Sequence, residues 1–142
     1  MSNDCQSLPP RRRTTTRPPV HRPRPLQTVL VVDDDPAVCR IIAKLLHRQG
    51  FTVMYAHCAA EALTLLDRAS HVDLVLTDQI MPGMTGVELL DLVHLRWPTM
   101  PGVIMSGIAS VPPQGFLQTL RKPFSANELS HCVSEVLSPR PR

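Results

Sequence analysis

In "LVLTDQIMPGMTG", residues 74–86, one acid, Asp78, closes an apolar run, and a turn rich in Pro and Gly follows at once. A carboxylate so placed is a nucleophile, a metal ligand, or only a polar end to a strand. Few other residues can decide between these. "VVDDDP" sets Asp33, Asp34 and Asp35 behind a second apolar run, "IMSG" ends a third on Ser106, and "RKPF" ends a fourth on Lys122. Asp35 has a structural explanation, because it precedes Pro36 as an N-cap precedes the first helical residue. Asp33 and Asp34 have none, since adjacent carboxylates only repel each other.

The elements between these residues must decide whether they meet. "TVLVV" from Thr28 is β-branched and does not alternate, as a parallel strand buried on both faces requires. Val38, Ile41, Ile42, Leu45 and Leu46 then recur at helical spacing, with Gly50 as the stop. "FTVMYA" reads as strand, "AAEALTLLDRA" as helix, "LVLT" as strand, and "GVELLDLVHLRW" as a helix ended before Pro98. "GVIMS" and "GFLQTLR" read as the fourth and fifth strands. "SANELSHCVSEVL" reads as a closing helix with a capping box on Ser125 and Glu128. Strands alternating with helices predict an α/β, doubly wound, five-stranded parallel sheet. In such sheets chemistry gathers beyond the carboxyl ends of the strands, at the switch in strand order. Asp33, Asp34, Asp78, Ser106 and Lys122 all fall at that edge.

Composition bounds the rest. The 142 residues suffice for one domain, and with aromatics at only 4% its core must be aliphatic. No apolar run approaches the roughly 18–20 residues of a membrane span, and no apolar segment follows the basic N-terminus as in a secretory signal. Cys5, Cys39, Cys58 and Cys132 are scattered and form no metal-binding spacing, so the expectation is reduced, mostly buried thiols in a cytoplasmic protein. Residues 1–27 hold six arginines against Asp4 alone and six of the fifteen prolines; with the whole chain at +3, the remainder is mildly acidic. The expectation is a disordered basic tail over 1–27, a folded domain over 28–137 and a short tail over 138–142. The basic tail has no aromatic residue on which a base could stack, so nucleic acid is not specifically indicated.

Taken together, "VVDDDP", "LVLTDQIMPGMTG", "IMSG" and "RKPF" resemble the response-regulator receiver domain of two-component signalling, in the right order across residues 28–137. The resemblance implies the flavodoxin-like strand order 2-1-3-4-5 and makes Asp78 the phosphoacceptor. It implies Mg²⁺ (or Mn²⁺) held by the side chains of Asp34 and Asp78 and the backbone carbonyl of Ile80, with Asp33 acting mostly through a bound water. Ser106 and Lys122 stand where the family has its hydroxyl and its lysine, and the peptide before Pro123 is commonly cis there. The chemistry accounts for the residue types: a carboxylate nucleophile and an anionic donor repel until a cation and an ammonium neutralise them.

The sequence also departs from the family. Thr119 stands where an aromatic ring is usual, and Ile80 and Ile108 are apolar where some receivers are polar. Pro112, Pro113 and Gly115 predict that the helix between strands four and five, the family's fourth, is short or absent. With only "SPRPR" after the last helix, the expectation is a stand-alone receiver. It would be phosphorylated by a histidine kinase or phosphotransfer protein and act through protein contacts. The alternative is a receiver-like interaction module that is never phosphorylated. An FMN-binding flavodoxin is disfavoured, because acids stand where its phosphate loop would be.

Overall fold

A computed structural model describes residues 26–69, 71–107 and 117–138. Five strands, β1 (Thr28–Val32), β2 (Thr52–Ala56), β3 (Leu74–Asp78), β4 (Gly102–Ser106) and β5 (Leu117–Arg121), form one parallel sheet in the order β2-β1-β3-β4-β5. The helices are α1 (Pro36–Arg48), α2 (Ala59–Arg68), α3 (Gly86–Arg96) and α4 (Ala126–Leu137).

Both faces of the sheet are covered, which is why the central strands carry apolar residues without alternation. On one face Val29, Val31, Leu76 and Met105 pack against Cys39, Ile42 and Leu46 of α1 and Leu129 and Val133 of α4. On the other, Leu30, Val32, Val75 and Ile104 meet Ala62 and Leu66 of α2 and Leu89, Leu90 and Val93 of α3. Each buried Leu or Val contributes about 1.5–3 kcal/mol relative to exposure. The edge strands look different: Tyr55 of β2 is exposed, as are Gln118 and Thr119 of β5.

The helix ends follow local chemistry. Asp35 caps α1, its carboxylate accepting the Ala37 N–H at 2.9 Å, and Pro36 takes the first turn. At the other end Gly50 (φ +91°) lets its own N–H and that of Phe51 close on the carbonyls of His47 and Leu46, a Schellman motif. Ser125 Oγ accepts the Glu128 N–H at 3.1 Å at the start of α4, as the capping pattern predicts.

The differences from expectation are small and have reasons. The third strand runs one residue further than "LVLT", because Asp78 still pairs with Met105. The second begins at Thr52, since Phe51 is spent on the Schellman turn. The described thiols are less buried than expected, with Cys39 buried, Cys132 half-buried and Cys58 exposed, while Cys5 lies outside the described residues. Cys58 is drawn outward because it caps α2, its sulfur accepting the Glu61 N–H. The fourth helix in chain order, α4, has its full 12 residues and is the one that closes the chain. The short or absent helix expected between β4 and β5 falls on 108–116, outside the described residues, as do the basic tail up to residue 25 and Ile108.

Candidate functional site

The strand order reverses between β1 and β3, and the two strands leave a crevice beyond their carboxyl ends. Asp33 and Asp34 follow β1, and Asp78 is the last residue of β3. One carboxylate oxygen from each lies within 4.8 Å of the others. At that spacing each pair of charges repels by about 3 kcal/mol at an effective dielectric near 20.

Asp33 is the least solvated of the three, at 2% exposure. Its N–H donates to Ala56 O at 3.1 Å, continuing the β1–β2 ladder by one rung. Its Oδ1 accepts the Asp35 N–H at 2.9 Å. Its Oδ2 is buried without a hydrogen bond among the described residues, 3.8 Å from Lys122 Nζ. Burial above all, and then the charges of Asp78 and Asp34, push the Asp33 carboxyl above its ordinary pKa, against the opposing pull of the Asp35 N–H and Lys122. A buried anion with an unsatisfied oxygen beside two further carboxylates fits a hard cation with oxygen ligands. The donor set contains neither sulfur nor imidazole, which argues against zinc.

Asp34 is exposed, and Asp78 is half-buried with Oδ1 accepting from Lys122 Nζ at 3.1 Å. The lysine is held by its backbone: its N–H donates to Ser106 O at 2.9 Å, extending β5 along β4, and the Lys122–Pro123 peptide is cis, as the resemblance implied. Ser106 is buried at the end of β4, one residue beyond the Met105 that pairs with Asp78. The structure thus gathers Asp33, Asp34, Asp78 and Lys122 by side chain, and joins Ser106 to Lys122 through the backbone. Ile80 sits two residues past Asp78 in the turn, with its side chain 65% exposed.

That turn is held by residues the sequence reading passed over. A Cβ on Gly86 would lie 2.5 Å from the Asp78 carbonyl oxygen, so the start of α3 abuts the end of β3 too closely for any side chain. The Gly86 N–H donates to Gln79 O at 3.0 Å, and Gln79 Oε1 accepts the Val87 N–H at 3.1 Å. Gly83 (φ +82°) supplies the left-handed residue the turn needs. Behind Asp33, Cys39 Sγ and His57 Nδ1 approach its backbone carbonyl at 3.5 and 3.3 Å. Gly86 had a legible signal, a glycine at the first position of a predicted helix where a side chain would favour helix. The Cys39–His57 approach had none, since Cys39 lies on α1 and His57 follows β2, and they meet only once α1 packs against the sheet.

The structure is thus an α/β module, a doubly wound parallel sheet with a cation-competent acidic pocket and a lysine at its switch point. The family model of the response regulator receiver domain matches residues 29–134, and the chain belongs to that family. Among curated proteins it is 32% identical over 123 residues to the transcriptional regulatory protein GlrR of Escherichia coli (strain K12), covering 82% of this chain and 27% of that protein. It is 37% identical over 117 residues to the hydrogenase transcriptional regulatory protein HoxA of Cupriavidus necator, covering 78% and 24%. The chain therefore spans about a quarter of the length of these relatives. Among solved structures it resembles the Vibrio cholerae chemotaxis protein CheY4 with a TM-score of 0.73 at 27% identity, covering 79% of this chain and 99% of that one. Receivers are phosphorylated by histidine kinases, and their chemistry is confined to their own aspartate. No helix among the described residues is long and apolar enough to cross a membrane.

Proposed function

We propose that this receiver takes a phosphoryl group from a histidine kinase or phosphotransfer protein onto Asp78 and acts through protein contacts. The observation that carries the reading is the pocket: three carboxylates within 4.8 Å, with Lys122 Nζ 3.1 Å from Asp78. An Asp78 carboxylate oxygen attacks phosphorus as the donor's P–N bond breaks, so the new bond is a mixed anhydride. Asp34 and Asp78, with the carbonyl of Ile80, would hold Mg²⁺ (or Mn²⁺), and Asp33 would act mostly through a bound water. When bound, the cation neutralises the carboxylates and the incoming phosphoryl oxygens. Lys122 then exchanges its contact with Asp78 for a phosphoryl oxygen, and the Ser106 hydroxyl donates to another.

The functional unit spans 28–137, flanked by the tails 1–27 and 138–142. The described cysteines are all free thiols, which supports a cytoplasmic setting. The test is direct. With Mg²⁺ and a small phosphodonor such as acetyl phosphate, one acid-stable, base-labile phosphoryl group should be added. Asp78→Asn should abolish it and Asp35→Asn should leave it nearly intact, because Asp35 is occupied as a helix cap. Full labelling of Asp78→Asn would overturn the assignment. No labelling of the unsubstituted protein would favour an interaction module that is never phosphorylated.

A further inference from the structure

The acidic pocket is built on one peptide unit that belongs neither to the sheet nor to a helix. Asp33 N–H makes the last rung with β2, and Asp35 O accepts the Cys39 N–H of α1. Between them the Asp33 carbonyl is turned inward and must find donors elsewhere, since a buried carbonyl left unpaired costs about 1–3 kcal/mol. It finds two, from two different elements. Cys39, one turn into α1 and fully buried, brings Sγ to 3.5 Å; His57, just past β2, brings Nδ1 to 3.3 Å. The sulfur and the ring nitrogen also touch each other at 3.8 Å. A carbonyl has two lone pairs and accepts both, provided Nδ1 carries the ring proton.

His57 is itself fastened. Its backbone N–H donates to Glu61 Oε2 at 3.1 Å, and its ring lies against Tyr55 with centroids 5.7 Å apart. The first turn of α2 is thereby tied to the peptide that carries the Asp33 carboxylate. We propose that His57 and Cys39 are positioning residues for the cation site, a clamp on the Asp33 carbonyl that fixes where its carboxylate points. The proposal rests on the reading of the pocket as a divalent-cation site. It adds that the affinity of the site is set partly by the β2–α2 junction, whose side chains touch neither cation nor phosphate.

The orphaned Asp33 Oδ2 gives the clamp its leverage. Its partner oxygen, Oδ1, is spent on the Asp35 N–H. Oδ2 has no hydrogen bond among the described residues and only the longer ion pair with Lys122 Nζ at 3.8 Å, so a small rotation of the peptide moves Oδ2 within the pocket. Residues that orient metal ligands commonly carry about tenfold in affinity. The experiment measures Mg²⁺ binding to the full chain by isothermal titration calorimetry. His57→Leu should weaken binding about tenfold. His57→Asn, which keeps an N–H donor near the position of Nδ1, should restore most of it.

A cycle with Asp33→Asn separates positioning from general damage. On that background His57→Leu should change Mg²⁺ affinity little, because the carboxylate it positions is gone. Unchanged affinity in His57→Leu, an equal loss in His57→Asn, or an equal further loss on the Asp33→Asn background would each overturn the clamp. Failure of the unsubstituted protein to bind Mg²⁺ would instead overturn the pocket reading, and the clamp with it.

Discussion

The two edges of this sheet both carry acids, and they use them in opposite ways. At the amino edge Asp73 accepts the first N–H of β1 at 2.7 Å and meets His71 Nε2 at 2.5 Å, while its own N–H returns to Thr28 O. Nearby, where α2 and α3 end, Asp67 pairs with Arg96, whose guanidinium also lies 4.6 Å over the Trp97 ring. These acids complete the fold. At the carboxyl edge three carboxylates crowd together, one oxygen is buried without a hydrogen bond among the described residues, and Lys122 offsets only part of the repulsion. The fold alone would not keep such an arrangement. The contrast shows that residue type says little by itself: an aspartate is structural where the backbone consumes its oxygens and chemical where they are left over.

The largest effect should come from the two glycines that lie at opposite edges. Gly86→Ala drives a Cβ into the Asp78 carbonyl, which is backbone and cannot yield, and should cost about 3 kcal/mol and displace Asp78. Gly102→Ala meets the tip of the Leu90 side chain at 2.8 Å, which can rotate, and should cost about 1 kcal/mol with labelling unchanged. Chemical denaturation with parallel labelling checks both; equal costs would break the contrast.

Asp73→Ala should follow, losing about 1–2 kcal/mol by stranding the Thr28 N–H while leaving the labelling rate intact. A slower labelling rate at full occupancy of the folded state would mean that the edges are not independent.

Asp33→Asn should run the other way. The folded-state pKa of this carboxyl is raised, so the folded protein binds its proton more readily than the unfolded chain does. The charged form therefore destabilises the metal-free fold at neutral pH, and that penalty begins to shrink as pH falls to the raised pKa and is gone below the ordinary carboxylate value. The substitution should stabilise metal-free protein by roughly 1 kcal/mol at neutral pH, with the gain shrinking in acid, and should weaken Mg²⁺ binding without abolishing it. A thermal melt that falls at neutral pH would contradict this.

The smallest effect concerns phosphoryl lifetime. Ile80, exposed two residues past Asp78, carries no polar side-chain atom with which to orient an attacking water. Ile80→Asn should speed decay of labelled protein roughly threefold, a barrier change of about 0.7 kcal/mol. Slower decay would refute the idea.

Much of this was written locally. β1 and β4 are bounded as read, because "TVLVV" and "GVIMS" are short, apolar through their middles and followed or ended by a polar residue. Asp35, Gly50 and Ser125 announced their caps within a few residues. The acids were legible because strand ends in a parallel sheet share one edge, so their convergence follows from topology without any distance. What escaped was contact across elements. Nothing near His57 in the sequence places it on the Asp33 carbonyl, 24 residues away. The glycine opening α3 marked Gly86 as unusual, but what fills the space a side chain would need, the Asp78 carbonyl, lies on another element. The exposure of Cys58 escaped too, because cysteine is rarely read as a cap.

That cap has a practical side. Maleimides and nitroxide reagents couple to thiolates, and among the described thiols they meet three different surroundings. Burial, and then the Asp33 charge, push Cys39 up to about 11, and burial raises Cys132, so both react slowly at neutral pH. Cys58 alone among them stands exposed, one residue from His57. With Cys5 replaced by Ser, a dye or spin label would attach chiefly at the β2–α2 junction and give an optical or paramagnetic signal there as the pocket fills.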